Sequence, residues 1–114
     1  MQYVNEVIRG VGAILRDALR EHDTAGRYGG EEFGILLAEA DAGHGQAIAE
    51  RIRKRIGATA FGPGGSLRCT ASIGIAGDAG ADDYRQWILH ADRALYRAKE
   101  SGRDCSVIDQ GAQP

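Results

Sequence analysis

Residues 27–33 read RYGGEEF: two glycines run directly into two glutamates, with an aromatic residue on either side. Glycines allow the backbone to turn with positive φ and let a bulky ligand approach closely. Adjacent carboxylates at such a turn supply the hard oxygen ligands that Mg²⁺ prefers. An ordinary polar hairpin tip is the plainer interpretation, because Gly-Gly and Glu are common in turns. The stretch therefore predicts a hairpin with Glu31 and Glu32 at its tip, and it is compatible with a metal-and-phosphate site there.

The residues on both sides of this stretch alternate between helical and strand periods. Spacings of three and four residues predict helices over residues 4–19, 42–57 and 84–98. Alternation and short extended runs predict strands over residues 23–28, 33–37, 69–76 and 107–108. Asp82 or Asp83 can cap the third helix, Gly102 is placed to end it, and one face of it carries Tyr84, Trp87, Ile88, Ala91, Leu95 and Ala98. This order indicates an α+β fold, with helices packed on a mostly antiparallel sheet.

Composition and charge narrow the class of protein. The chain has 114 residues, 43% of them hydrophobic and 26% charged, which suits one soluble globular domain. No apolar run reaches the roughly 18 residues that cross a bilayer, and no signal peptide opens the chain, so we expect a cytoplasmic protein without membrane contact. Cys69 and Cys105 are expected to be free thiols. Net charge is −2, and the basic cluster at residues 51–55 has helical spacing, so we expect a solvated helix face and no nucleic-acid partner.

Three motifs, in order along the chain, resemble those of the GGDEF family of diguanylate cyclases. Residues 27–33 give the signature in its GGEEF spelling, residues 70–76 (TASIGIA) resemble the family's TxSxGxA strand, and residues 91–103 resemble its ADxALYxAKxxGR helix. The resemblance implies a nucleotidyl-cyclase-like fold of the palm type, ferredoxin-like in topology. A partial GGDEF domain is expected over residues 1–108, followed by a frayed tail over residues 109–114.

The resemblance implies a nucleotidyl transfer in bacterial second-messenger signalling: two GTP molecules, one per protomer, condense into cyclic di-GMP and release two pyrophosphates. Carried over by motif, Glu31 coordinates Mg²⁺ (or Mn²⁺) and helps to deprotonate the attacking 3′-hydroxyl. Glu32 supports the metal site, while Gly29 and Gly30 lie against the nucleotide.

Lys99 and Arg103 are implied to hold the terminal phosphates. Their spacing of four is expected to place them on one helix face near its C-terminus. A favourable interaction with the helix dipole is the alternative explanation for two cations at that position.

A second site is implied upstream of the signature. Arg20 and Asp23 fit the family's RxxD motif, six residues before Gly29, where product cyclic di-GMP binds and inhibits synthesis. An Arg fork can bond phosphate or a guanine edge, and a carboxylate accepts from guanine N–H groups. A salt bridge at a helix end is the plainer alternative.

The resemblance is incomplete at the front, where family members carry a strand with an Asp metal ligand and a helix. The chain is therefore expected to lack the family's first strand and first helix and to be inactive alone. Residues 33–37 are expected either to pair with residues 69–76 or to leave an edge through which chains form a homodimer or higher oligomer. Three functions stay open: a diguanylate cyclase, a non-catalytic cyclic di-GMP receptor using the RxxD site, and structural association with other signalling domains.

Overall fold

The computed structural model describes residues 2–20, 23–29, 32–36, 41–77 and 83–109. These residues form, in chain order, α1 (Gln2–Ala18), β1 (Thr24–Gly29), β2 (Glu32–Leu36), α2 (Ala42–Ala58), β3 (Ile73–Ile75), α3 (Tyr84–Glu100) and β4 (Ser106–Ile108), with a single 3₁₀ turn at Pro63–Gly65. The predicted order of helix, hairpin, helix, strand, helix and strand is confirmed. No helix within the described ranges is long and apolar enough to span a membrane.

The four strands form two separate pairs. β1 and β2 are antiparallel, with Ala25 opposite Ile35 and an irregularity between Arg27 and Gly29. β3 and β4 are parallel, with Ile73 opposite Ser106. The prediction of a mostly antiparallel sheet is wrong for this second pair, because α3 joins its strands and a helical crossover returns the chain in the same direction. Among the described residues β2 and β3 belong to different sheets, so direct pairing between them is not found there.

The main hydrophobic core lies between α1 and α2. Its buried members are Ile14, Leu15, Ile48, Ile52, Ile56 and Phe61. Phe61 follows α2, and the other five lie on the two helices at the helical spacing seen in the sequence, so the helices pack apolar stripes against each other. The cations of residues 51–55 are exposed as predicted, except for Arg53, which is half-buried.

The second packing contact is the close approach of α3 to β3. A Cβ added at Gly74 would lie 2.2 Å from the Leu95 nitrogen and 2.3 Å from the Ala91 oxygen, both main-chain atoms. Only glycine permits this approach. Ala94 and Ala98 are fully buried on α3, although the apolar face predicted for this helix includes Ala98 and not Ala94.

Tyr84 departs from the expected face of α3, since it is 67% exposed. It is the first residue of the helix. Trp87 covers that end instead, and its Nε1 donates to the Ala76 oxygen at 2.7 Å. Asp83 is the residue that caps the helix, its Oδ1 accepting from the Gln86 N–H at 3.0 Å, whereas Asp82 lies outside the described residues.

The chain stays ordered beyond the predicted domain end at residue 108. The Asp109 N–H donates to the Ile75 oxygen at 2.7 Å. Its carboxylate is only 2% exposed and accepts from Arg93 Nε and Nη2, both at 2.8 Å. A frayed tail is therefore wrong for Asp109, because a buried carboxylate with a bidentate Arg partner is fixed. Residues 110–114 lie outside the described residues.

Both cysteines are free thiols, as predicted. Cys69 packs against the α1–α2 core, and burial raises the pKa of its thiol. Cys105 lies just before β4, where its Sγ donates to the Ala98 oxygen at 3.4 Å. Each thiol is half-buried, so neither reaches the full burial of a core residue.

Candidate functional site

The signature stretch spans the β1–β2 hairpin. Gly29 ends β1 and lies opposite Glu32, the first residue of β2. Glu32 therefore belongs to the paired strands. The prediction that it lies at the tip of the hairpin is wrong. Gly30 and Glu31, which are predicted to contact nucleotide and metal, lie outside the described residues.

The predicted phosphate-binding pair lies at the C-terminal end of α3, but on two different kinds of backbone. Lys99 is in the last turn of the helix, which ends at Glu100. Gly102 has a φ of 111°, the Gly102 N–H donates to the Lys99 oxygen, and the Arg103 N–H donates to the Ala98 oxygen at 3.0 Å. These two bonds define a Schellman motif. The prediction that Gly102 ends the helix is confirmed, whereas the prediction that Arg103 shares a helix face with Lys99 is wrong.

Arg103 and Asp104 continue in the left-handed conformation after Gly102. Their φ values are 65° and 47°, and within the described parts of the chain they are the two non-glycine residues with positive φ. Each such residue costs about 1–2 kcal/mol relative to a right-handed one. Such strain persists only when the surroundings fix it. We call residues 102–104 the left-handed turn.

A polar network anchors the left-handed turn to α2. Arg53 Nη1 donates to Asp104 Oδ1 at 2.8 Å and to the Asp104 main-chain oxygen at 3.3 Å. The same guanidinium donates through Nε and Nη2 to both carboxylate oxygens of Glu50, at 2.9 and 2.7 Å. Ser106 Oγ donates to Glu50 at 2.7 Å, and the Asp104 N–H donates to Ser72 Oγ at 3.2 Å. The turn is thus held from α2 and from the residue before β3.

The charges in this network reinforce one another. The bidentate bonds from Arg53, followed by the bond from Ser106, lower the pKa of the Glu50 carboxyl to about 2, against a smaller opposing effect of burial. The bonds from Arg53 to Glu50 and then to Asp104 raise the pKa of the Arg53 guanidinium. Sequence reasoning placed Arg53 on the solvated face of its helix. The Glu50–Arg53 spacing was a visible signal for the local pair, but no local pattern links Arg53 to Asp104.

The RxxD residues form a tight turn between α1 and β1. The Arg20 N–H donates to Asp23 Oδ2 at 2.9 Å, and the Asp23 N–H donates back to the Arg20 oxygen at 3.0 Å. Asp23 is half-buried and the Arg20 side chain is exposed. The turn thus leaves an Arg side chain in solvent beside a carboxylate that is fixed to the main chain.

A metal site is not formed within the described residues alone, which contain no group of three or more His, Cys, Asp or Glu side chains suited to an ion. The predicted ligand Glu31 falls outside them. Carboxylates are the donor type that Mg²⁺ and Mn²⁺ bind, so the residues of the signature suit such an ion chemically.

The fold and the three motifs agree with a family comparison. The family model for the diguanylate cyclase GGDEF domain matches residues 1–105. The chain belongs to the GGDEF-domain family.

Individual relatives support the same assignment. Diguanylate cyclase DosC of Escherichia coli K12 is 40% identical over 102 residues, which cover 88% of this chain and 22% of DosC. The solved active GGEEF domain of a Vibrio cholerae diguanylate cyclase superposes with a TM-score of 0.87 at 26% identity, over 98% of this chain and 72% of that one. The GGDEF domain of DgcB from Caulobacter crescentus, in complex with c-di-GMP, gives 0.84 at 26% identity, over 92% and 64%. The expected cyclase-like fold is confirmed.

The chain spans only part of these relatives. In four of the curated relatives it covers between 15% and 30% of their length. The activities named for them therefore belong to longer proteins.

Proposed function

We propose that residues 1–109 form the GGDEF domain of a diguanylate cyclase, which condenses two GTP molecules into cyclic di-GMP and two pyrophosphates. The observation that carries the proposal is the GGEEF hairpin, in which Gly29 and Glu32 face each other across paired strands in a chain of this family. Its substrate is a cytoplasmic nucleotide, so the proposed activity requires that compartment.

The reaction makes two equivalent bonds. The 3′-hydroxyl oxygen of one GTP attacks the α-phosphorus of the other, a P–O bond forms, and the bond to the leaving pyrophosphate breaks. Repeating the step with exchanged roles closes the ring. Each bond joins nucleotides held by two protomers, so the active form is a homodimer or higher oligomer.

The proposed roles of the side chains follow from the negative charge of the GTP triphosphate. Glu31, supported by Glu32, is proposed to hold Mg²⁺ or Mn²⁺ and to accept the hydroxyl proton, with Gly29 and Gly30 against the nucleotide. A bound ion would neutralise phosphate charge as the new bond forms. Lys99 and Arg103 are proposed to bind the terminal phosphates.

The RxxD turn is proposed to bind the product. The exposed Arg20 side chain and the Asp23 carboxylate offer a donor fork beside an acceptor, which suits the phosphates and the guanine edge of cyclic di-GMP. The DgcB domain named above was solved in complex with this compound. If the chain has no turnover, this turn supports the second candidate function, a cyclic di-GMP receptor.

Chromatographic detection of cyclic di-GMP formed from GTP by the full-length protein tests the cyclase proposal. We expect Glu31→Gln to lower turnover ~100-fold or more, because it removes a metal ligand and proton acceptor without changing size. Glu100→Gln, at an exposed position on α3, is the matched control and should keep turnover. Unchanged turnover in Glu31→Gln would contradict the assigned role.

Calorimetry with cyclic di-GMP tests the product site separately. Arg20→Ala should weaken binding ~10-fold or more, since a charge-assisted hydrogen bond contributes about 1.5–3 kcal/mol. Arg16→Ala, an exposed residue one turn earlier on α1, is the control. Equal affinity in the two variants would exclude the site. Absence of both turnover and binding would favour a purely structural role.

A further inference from the structure

The left-handed turn puts unusual demands on the residue proposed to bind phosphate. Arg103 is exposed, and its direction is set by a left-handed backbone that an arginine rarely adopts. The residues that hold this backbone therefore decide the direction in which the Arg103 side chain leaves the main chain.

Arg53 is the side chain best placed to hold it. Its side chain is 18% exposed, whereas Arg51, Lys54 and Arg55 on the same helix are exposed. Two of its nitrogens bind both oxygens of Glu50, and the third reaches the side chain and the main chain of Asp104. An arginine with both forks occupied has little rotational freedom.

The hydrogen bonds of Arg53 and Glu50 hold the chain on both sides of Cys105. Arg53 fixes Asp104 before it, while Glu50 accepts from Ser106 after it. Ser72 accepts from the Asp104 N–H, and the Cys105 oxygen accepts from the Ile73 N–H at 2.9 Å. Residues 104–106 are thus tied to a rigid helix and to β3, and Arg103 lies directly before them.

We infer that Arg53 is a positioning residue for phosphate binding: through Asp104 it keeps Arg103 in the left-handed conformation from which that side chain meets the terminal phosphates of GTP. The identity of the ligand in this inference rests on the proposed function, whereas the geometry of the turn does not. A purely structural tie between α2 and β4 is the competing explanation.

The first test measures the turn without any substrate. The Arg103 N–H donates to Ala98, so its hydrogen exchange, followed by NMR well below the melting temperature, reports the closed turn. We expect exchange to accelerate ~10-fold or more in Arg53→Ala and to change less in Arg53→Lys, which keeps a cation near Asp104. Arg55→Ala is the control, because Arg55 also pairs with an aspartate, Asp17, at 3.0 Å but on an exposed surface. Unchanged Arg103 exchange in Arg53→Ala would overturn the inference.

The second test measures GTP kinetics in the full-length protein. Loss of positioned phosphate contacts raises KM with little change in kcat, so Arg53→Ala and Arg103→Ala should each raise KM ~10-fold, and the double variant should be no worse than Arg103→Ala. An additive loss, or a lower melting temperature with unchanged KM, would show a structural tie and overturn the inference. If Arg103→Ala leaves KM unchanged, or the wild type does not turn over GTP, the proposed function fails instead, and hydrogen exchange still decides whether Arg53 holds the turn.

Discussion

The β1–β2 hairpin and the β3–α3–β4 unit carry different motifs of the family, and the motif residues have different roles in the two regions. The hairpin meets the α1–α2 core through Ile35, and its motif consists of turn glycines and carboxylates. The β3–α3–β4 unit is fixed by main-chain contact at Gly74, by the Trp87 and Arg93 hydrogen bonds, and by the Schellman end at Gly102. Gly74 of the second motif and Gly102 of the third therefore serve packing and helix capping.

This comparison separates two reasons for a residue to belong to a motif. Gly74 in the TxSxGxA pattern is fixed by the space between α3 and β3, and Ala98 in the helix pattern is fully buried. In the hairpin, by contrast, the proposed roles of Glu31 and Glu32 are toward a ligand. Substitutions in the two regions should accordingly divide into losses of stability and losses of activity.

The largest loss of stability is expected at Gly74. A new Cβ in Gly74→Ala would overlap main-chain atoms of Leu95 and Ala91, which cannot rotate away, so α3 must move off β3. We expect a loss of about 4 kcal/mol or more in the free energy of unfolding, measured by urea denaturation. The control is Gly57→Ala on α2, where a Cβ meets nothing within 4 Å and should stabilise by about 0.5–1 kcal/mol. Similar stability of the two variants would refute the close-packing argument.

The next-largest loss in the free energy of unfolding is expected at the end of β4. Arg93→Ala leaves the buried Asp109 carboxylate without its bidentate partner, and we expect a loss of about 2 kcal/mol, below the full cost of a buried pair because Arg93 itself is half-exposed. Arg97→Ala is the control, since its Nη1 lies 3.9 Å from the same carboxylate, and it should cost less than about 0.5 kcal/mol. Equal losses in the two variants would mean that the Arg93 fork does not fix Asp109.

The sequence predicted the helices well because their stripes are long and their ends carry local signals. Asp83 and Gly102 act as the cap and the stop that their residue types suggest. Strand direction was not predictable, because a strand of three residues such as β3 does not specify its partner. The roles of Arg53 and Asp109 depend on residues far along the chain. Periodicity assigned one to a solvated face and the other to a tail.

A smaller loss in the free energy of unfolding, which depends on pH, is expected when Glu50 is substituted. Its pKa in the folded protein, about 2, lies below the ordinary value of 4.5, so the carboxylate stabilises the fold above about pH 4.5, and this contribution is lost as pH falls toward 2. With Glu50 34% exposed, we expect Glu50→Gln to cost about 1 kcal/mol at pH 7. In urea denaturation at pH 7, 4.5 and 3, its difference from wild type should shrink with acidity. A difference that is constant with pH would contradict the ionised pair.

The smallest effect on stability is expected in the hairpin, and it completes the comparison. Because the role proposed for Glu31 is toward a ligand, Glu31→Gln should change the free energy of unfolding by less than about 0.5 kcal/mol, measured by urea denaturation without nucleotide. Turnover in the same preparation should fall ~100-fold or more. Gly74→Ala should differ from Glu31→Gln, because its primary effect is a large loss in the free energy of unfolding. A Glu31→Gln protein that loses stability and activity together would remove the distinction, because the signature would then also belong to the packing of the fold.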